Sequence, residues 1–141
     1  MPEPAAPART LPAIDLDSRA YWTGGERGEL LINRCAQCRC FVHPPVPFCP
    51  ACESREVAPE AVSGRGRVAT FTVNHKAWVP GLPVPYVLAL VALEEQEDVR
   101  LVCNVIGCEP DAVTFGMTVE AVFEQHGDVW VPMFRPVDSG A

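Results

Sequence analysis

The chain has 141 residues, of which 48% are hydrophobic and 21% are charged. This balance supports one domain or two very small ones and excludes disorder along the whole chain. Eleven Lys and Arg residues against 18 Asp and Glu residues give a net charge of −7, which argues against nucleic acid as the main partner.

The first 14 residues are rich in Pro and Ala and show no apolar period, which predicts a flexible tail over residues 1–14. They lack the basic segment followed by an apolar stretch that marks a secretory signal. The sequence also lacks a run of about 18 apolar residues, so no membrane-spanning helix is predicted. We therefore expect a cytoplasmic protein.

A short helix is predicted after the tail. Asp15 or Asp17 is a candidate N-cap, and the helix runs to about Thr23, where glycines end it. Residues 29–34 then have the composition of a strand that leads into the first pair of cysteines.

Five of the seven cysteines lie between positions 35 and 52. Cys35-x-x-Cys38 and Cys49-x-x-Cys52 form two pairs, and in each pair a tight turn can direct both sulfurs at one ion. Four thiolates favour zinc, with iron as the competitor, because a rubredoxin site uses the same four sulfurs. Such a closed site leaves no position for water or substrate. We therefore expect a structural metal ion rather than a catalytic one.

The other three cysteines are not predicted to belong to the four-cysteine set or to act as nucleophiles. Cys40 lies on the wrong side of its turn to join the four, and we interpret it as a half-exposed thiol or a substitute ligand. Cys103 falls on the apolar face of a strand and is a core residue by pattern. Cys108 sits in a loop without a neighbouring His.

The chain after the cysteines predicts a small barrel. Residues 53–66 are interpreted as a connector, and the acidic run 94–98 as a solvated hairpin loop. One helical turn is predicted within 109–115. The predicted strands are 68–73, 86–93, 99–105, 118–125 and 129–134. Five short strands in this spacing suit a Greek-key barrel of the OB type.

The predicted fold is therefore mostly β. An N-terminal helix and a rubredoxin-like zinc ribbon occupy residues 15–57, and a five-stranded OB-fold barrel occupies residues 58–141.

The loop over residues 74–86 carries Trp78, three prolines and the only lysine of the chain. A loop of this length and composition either packs on a partner or folds back over one end of the barrel, and the sequence leaves both open. Trp78 and Tyr86 are the first candidates for a partner interface. Tyr21 and Trp22, in the predicted helix, are the second candidates.

Catalytic machinery is missing from the sequence pattern. His43, His75 and His126 are far apart, and none has a local Ser, Cys or Asp arranged as a triad. There is no phosphate loop and no dinucleotide-binding glycine motif. We expect a protein that is not an enzyme on its own.

In this order, the motifs resemble the acyl-CoA-associated rubredoxin-like zinc-ribbon/OB-fold family, long catalogued as a domain of unknown function. The resemblance covers about residues 15–137 and rests on an ordered set of short motifs. These are Tyr21-Trp22, Gly28-Glu29-Leu30, Arg34-Cys35-x-x-Cys38, Pro44-Pro45, Cys49-Pro50-x-Cys52, Ser63-Gly64-x-Gly66-x-Val68, Pro85-Tyr86-Val87, Gly116-Met117 and Phe134-Arg135-Pro136.

The resemblance implies an accessory subunit bound to a thiolase-superfamily enzyme, such as a thiolase, an acyltransferase or an aldolase that trims steroid side chains. The partner would supply the catalytic residues, and the subunit would stabilise it and help form the path of the CoA thioester. Arg65, Arg67 and Lys76 are the cations available to meet CoA phosphates at a shared surface.

The sequence departs from the family pattern at three positions. Arg39 and Glu53 stand where glycines usually follow the cysteine pairs, which predicts strain in both turns. Val46 stands where many relatives have arginine, which weakens a role of the ribbon in binding CoA phosphates.

Two other functions stay open at this point. A single-strand nucleic-acid-binding ribbon/OB module would need a cationic groove with interleaved aromatic residues, which the acidic balance opposes. A rubredoxin-type electron carrier would hold iron in the four-cysteine site.

Overall fold

The structure is a computed structural model and describes residues 9–78 and 80–137. Most of the predicted tail, residues 1–8, and the last four residues of the predicted barrel segment lie outside this range. The described elements are helix α1 (Arg19–Thr23), a 3-10 helix (Gly24–Arg27), strands β1 (Leu30–Cys35), β2 (Phe41–Val42), β3 (Val57–Val62), β4 (Arg65–Asn74), β5 (Tyr86–Leu93) and β6 (Gln96–Val105), a second 3-10 helix (Pro110–Ala112), and strands β7 (Thr118–His126) and β8 (Val129–Pro136). None of these helices is long and apolar enough to cross a membrane.

Strands β1, β2 and β3 form an antiparallel sheet in the order β2-β1-β3. β3 pairs with the whole of β1, from Leu30 opposite Val62 to Cys35 opposite Val57. The prediction that residues 53–66 are only a connector is therefore wrong. β3 shows little of the apolar alternation that marks a half-buried strand, and none of its side chains is fully buried. It is held in the sheet by backbone pairing with β1, which needs no such alternation.

Strands β4 to β8 close a barrel in the order β4-β5-β6-β8-β7, which confirms the five-stranded OB prediction. All neighbours are antiparallel except β6 and β8, which share the single parallel pair Val105 and Phe134. The predicted helical turn is present as the second 3-10 helix.

The acidic hairpin is shorter than predicted. A two-residue turn at Glu94 and Glu95 joins β5 to β6, and residues 96–98 belong to β6. The prediction of a loop over 94–98 is wrong for these three residues. Their polar side chains lie at the solvated end of the strand, where pairing does not require an apolar residue.

Helix, small sheet and barrel share one hydrophobic core. Leu30 and Ile32 of β1 belong to the same buried cluster as Val91, Leu101 and Phe134 of the barrel. β3 begins at Val57, where the sequence predicts the boundary between ribbon and barrel, and that boundary stays a prediction.

The segment before α1 contacts the barrel. Arg9 Nη1 donates a hydrogen bond to Asn104 Oδ1 of β6 at 3.0 Å, and Arg9 Nε lies 3.5 Å from Glu124 Oε1 of β7. The guanidinium therefore crosses the β6–β8 seam, where only one residue pair joins the strands.

Candidate metal centre and interaction surfaces

The four cysteines predicted as ligands lie together. Cys35 ends β1, Cys38 follows in the next turn, and Cys49 and Cys52 lie in the second turn. Their sulfurs all lie within 4.8 Å of one another, with Cys35 to Cys52 and Cys38 to Cys49 at 3.5 Å. A disulfide needs about 2.05 Å. Four sulfurs about 2.3 Å from a zinc ion stand about 3.8 Å apart at the corners of a tetrahedron, so the geometry fits one four-coordinate ion.

The two turns that carry the cysteines have matching backbone hydrogen bonds. The Arg39 N–H donates to the Cys35 carbonyl at 3.0 Å, and the Glu53 N–H donates to the Cys49 carbonyl at 2.7 Å. Arg39 and Glu53 have φ angles of 67° and 65°. This is the left-handed region that glycine adopts freely, so the strain predicted for both turns is present.

Hydrogen bonding gives the sulfurs different acidities. The Cys38 N–H, with a smaller contribution from Gln37, lowers the pKa of the Cys35 thiol to about 6. The Ser54 N–H lowers the pKa of Cys52, but the hydrogen bond with the Cys35 sulfur, together with burial, raises that pKa to about 12. The thiolate form of Cys35 is thus stabilised, whereas the thiolate form of Cys52 is disfavoured. A divalent cation removes this conflict because it stabilises all four negative sulfurs together.

The cluster is closed on its inner side. Cys35 and Cys49 are fully buried and pack with Val42, and Cys40 borders this small group without joining the four sulfurs. Cys38 and Cys52 are exposed. The cluster therefore lies at the protein surface, with two of its cysteines closed off from solvent and two in contact with it.

An arginine connects this cluster to the rest of the small sheet. Arg34 Nε donates to the Arg39 carbonyl at 2.7 Å, and its Nη1 lies 2.8 Å from Glu60 Oε2 of β3. The guanidinium also lies 4.4 Å from the centre of the Phe41 ring. These contacts fix the first cysteine turn against β1, β2 and β3.

The structure does not bring the three predicted CoA cations together. Arg65 and Arg67 lie near the start of β4, whereas Lys76 follows its far end. Arg67 lines a groove of about 720 Å³ that also contains Arg100 of β6 and two glutamates. Arg100 could not be identified from the sequence, because only the barrel register places it two strands from Arg67.

Trp78 stands at the surface of the β4–β5 loop. The residue is 66% exposed, and its Nε1 donates to Asn74 Oδ1 at 3.0 Å. Asn74 Nδ2 donates in turn to the Lys76 carbonyl, and Lys76 Nζ lies 4.1 Å from the centre of the indole ring. An exposed aromatic ring held in this way has the character of an interface residue. Tyr86, at the start of β5, is half-buried.

The two aromatic residues of α1 have different environments. Tyr21 is 8% exposed, and its ring centre lies 4.8 Å from Trp22 and 4.9 Å from His43. Tyr21 is therefore a core residue, and it can serve an interface only by supporting its neighbours. Trp22 is partly buried and reaches the surface.

Buried groups near these rings shift in pKa through burial. Burial lowers the pKa of His43 to about 4 and raises that of the Tyr21 hydroxyl. It also raises the pKa of the Cys103 thiol to about 12, and this cysteine is a core residue, as its strand position predicts.

Comparison with known protein families assigns most of the described chain. Residues 22–58 match the family described as "ChsH2, rubredoxin-like zinc ribbon domain", and residues 59–124 match "ChsH2, C-terminal OB-fold domain". A chain of the solved "Ltp2-ChsH2(DUF35) aldolase" is 36% identical and superposes with a TM-score of 0.80, over 89% of this chain and 98% of that one. A DUF35 protein of unknown function from Sulfolobus solfataricus, 14% identical with a TM-score of 0.60, shares the fold.

Relatives of two lengths are similar to this chain. A "DUF35 domain-containing scaffold protein" of Methanocaldococcus jannaschii is 36% identical over 81% of this chain and 86% of its own length. A "Probable enoyl-CoA hydratase alpha subunit" of Thermomonospora curvata is 37% identical, and the "3-oxo-4,17-pregnadiene-20-carboxyl-CoA hydratase alpha subunit" of Mycobacterium tuberculosis is 38% identical. The chain spans only 40% and 39% of the length of these two hydratase subunits.

Proposed function

Because the chain belongs to the ChsH2 (DUF35) family of zinc-ribbon and OB-fold proteins, we propose that it is a non-catalytic accessory subunit of a thiolase-superfamily enzyme in acyl-CoA metabolism. One observation carries this proposal. The chain matches a chain of an aldolase whose name joins Ltp2 to ChsH2, and the match covers 98% of that aldolase chain. The relatives named as scaffold proteins support the same role. The CoA thioester in the name of the mycobacterial relative supports a place in the degradation of steroid side chains.

The four-cysteine site supports a structural role for the metal. We propose that Cys35, Cys38, Cys49 and Cys52 bind one zinc ion, in agreement with the sulfur distances and the ribbon family match. Zinc would supply folding stability, since four protein ligands leave no open position for a substrate. Metal analysis and a visible spectrum distinguish zinc, which is colourless here, from iron, which would be red when oxidised.

The Glu124–His126 pair is the arrangement in the described residues that most resembles catalytic machinery. His126 Nε2 lies 2.5 Å from Glu124 Oε1, and the His126 side chain is 8% exposed. Within the described part of the chain, no serine, threonine or cysteine side chain hydrogen-bonds to this histidine. Among the described residues, the pair is therefore not joined to a nucleophile as a catalytic triad would be.

The cations and aromatic residues are assigned to two surfaces in this proposal. Arg67, which lines the large groove, and Arg65, two residues before it on β4, are proposed to meet CoA phosphates at the surface shared with the partner. Lys76 stacks on Trp78, so it is proposed to act with that ring and with Tyr86 in contacts to protein.

Co-expression tests the proposal directly. The tagged chain is produced together with each thiolase-superfamily protein of its source organism in turn. We expect one of them to co-purify in a fixed ratio and to gain thermal stability or thioester turnover. A monomer that leaves all of them unchanged, or a chain that turns over thioesters alone, would overturn the proposal.

A further inference from the structure

An apolar surface surrounds Trp22 where α1, the segment after β2 and the barrel meet. Two grooves, of about 220 Å³ and 290 Å³, lie on it, and both are lined by Tyr21, Trp22 and Val102. The first groove also contains Leu88 of β5. The second contains Pro44, Pro45 and Arg100. We refer to Trp22, Pro44, Pro45, Leu88, Arg100 and Val102 as the Trp22 surface.

The composition of this surface is unusual for the outer face of a solvated barrel. Val102 is 68% exposed and Leu88 is 43% exposed, although both point outward from strands whose inward residues already form the core. Single exposed apolar residues are common in soluble proteins. Here they are joined into one patch by the shared grooves, and a contiguous patch marks a site of interaction.

Charge identifies the kind of partner. Arg100 lines the second groove, and within the described residues its guanidinium has no carboxylate within 4.0 Å. Among the described residues, no acidic side chain lines either groove, on a chain with a net charge of −7. The acids that share other grooves with Arg100 are Glu94, Glu97 and Asp98. An incoming carboxylate would therefore meet a local cation at the edge of an apolar patch.

A second copy of this chain fits the surface poorly. In a two-fold contact the same patch meets itself, and no described residue that lines the two grooves could supply a carboxylate to face Arg100. A different protein can bring both the apolar side chains and the carboxylate. The surface therefore favours a heterologous partner.

We propose that the Trp22 surface is the docking site for the partner enzyme and receives a segment with two apolar side chains beside an acidic residue. The inference rests on the proposed function. It places the main contact away from the Trp78 loop, because none of the residues described within 74–86 lines either groove.

Three variants test this proposal against the thiolase-superfamily subunit that co-purifies with the unaltered chain. Val102→Asp places a charge in the centre of the patch, and we expect affinity to fall at least 100-fold in calorimetric titration. Arg100→Glu should weaken binding about 10-fold, with the larger effect at low salt. Phe115→Asp is the matched control, because Phe115 is 70% exposed but lines neither groove, and its affinity should stay within about 3-fold.

The outcomes separate this inference from the proposed function. If Val102→Asp is insoluble, Val102→Ser replaces it, with an expected loss of about 10-fold. If the Val102 and Arg100 variants bind like the unaltered chain while Trp78→Ala does not, the Trp22 surface is not the docking site, yet the accessory role stands. If no thiolase-superfamily protein binds the unaltered chain, the proposed function fails and this inference fails with it.

Discussion

Glu53 closes the second cysteine turn with a φ of 65°, and its carboxylate forms no ion pair among the described residues. A left-handed conformation costs an L-residue about 1–2 kcal/mol, whereas glycine adopts it freely. Glycine also raises the entropy of the unfolded chain, which offsets part of this gain. We expect Glu53→Gly to raise the free energy of unfolding by about 0.5–1 kcal/mol, measured by denaturant unfolding of the metal-loaded protein.

Glu53→Ala is the control for this prediction. It removes the same carboxylate but keeps a β-carbon, so it should give no comparable gain. Arg39→Gly is a less clean test, because Arg39 Nη2 also lies 3.7 Å from Glu60 Oε1. If glycine at position 53 lowers stability, the turn is not strained in solution.

His43 gives the ribbon a dependence on pH. Burial lowers its pKa from 6.5 to about 4, so the unfolded chain takes up a proton at a higher pH than the folded chain does. Above about pH 6.5, His43 is neutral in both the folded and the unfolded chain, and the folded state keeps its full stability. As the pH falls from 6.5 towards 4, protonation of His43 in the unfolded chain lowers the free energy of unfolding. Between pH 7.5 and pH 5 we expect the free energy of unfolding to fall by about 2 kcal/mol from this group.

The measurement is denaturant unfolding at several pH values, with metal content checked at each. His43→Phe should remove most of the slope, whereas replacement of the exposed His75 by Gln should leave it unchanged. An unchanged slope in His43→Phe would show that His43 is not the group responsible.

At the scale of elements, Gly25 fixes the 3-10 helix against the barrel. A β-carbon at this position would lie 2.6 Å from Phe123 Cδ1 of β7 and 2.7 Å from Trp130 Cβ of β8. Such overpacking must displace the helix or the rings, and it typically costs about 1–3 kcal/mol. We expect Gly25→Ala to lower the free energy of unfolding by that amount in thermal or denaturant unfolding.

Gly28 provides the comparison. It has a φ of 72° with open space around its Cα, so Gly28→Ala should cost about 1 kcal/mol through backbone strain alone. A second variant, Phe123→Leu, should reduce the cost of Gly25→Ala because it shortens the side chain that the new methyl group meets. Equal costs of Gly25→Ala in both backgrounds would argue against this contact.

The barrel strands could be predicted from the sequence because their inward positions alternate with outward ones. Val99, Leu101 and Cys103 of β6 are all buried, as the period of two requires. The cysteine pairs were equally readable, since the spacing of the ligands reflects the geometry of the turns that hold them.

β3 could not be predicted in the same way. Pro59 and Ala58 are exposed neighbours in it, so the pattern lacks the alternation of a half-buried strand. Its pairing with β1 uses backbone groups, which leave no side-chain signature. The Trp22 surface was hidden for a related reason, since only the packing of α1 and the register of β5 and β6 bring Leu88 and Val102 beside Trp22.

At the scale of the whole molecule, the four-sulfur site and the barrel are connected through one core. Cys35 ends the strand whose Leu30 and Ile32 pack among barrel residues. The Phe41 backbone also exchanges hydrogen bonds with the Gln96 side chain, between N and Oε1 at 2.9 Å and between O and Nε2 at 3.3 Å. Disorder in the cysteine turns therefore exposes residues on which the barrel depends.

This connection predicts that metal removal destabilises the whole molecule. The binding energy of a structural metal contributes directly to folding, so Cys35→Ser should abolish stoichiometric metal binding and give insoluble or partner-less protein. In the unaltered protein, a chelator should lower the melting temperature in one transition, reported alike by far-UV circular dichroism and by tryptophan fluorescence.

Cys40→Ser is the matched control, because Cys40 borders the cluster but lies outside the four-sulfur group. It should keep the metal and the melting temperature. Two separate transitions, of which only one responds to the chelator, would show that the barrel folds without the ribbon. The shared core would then be too weak to couple them, and loss of partner binding in Cys35→Ser would reflect local disorder rather than global unfolding.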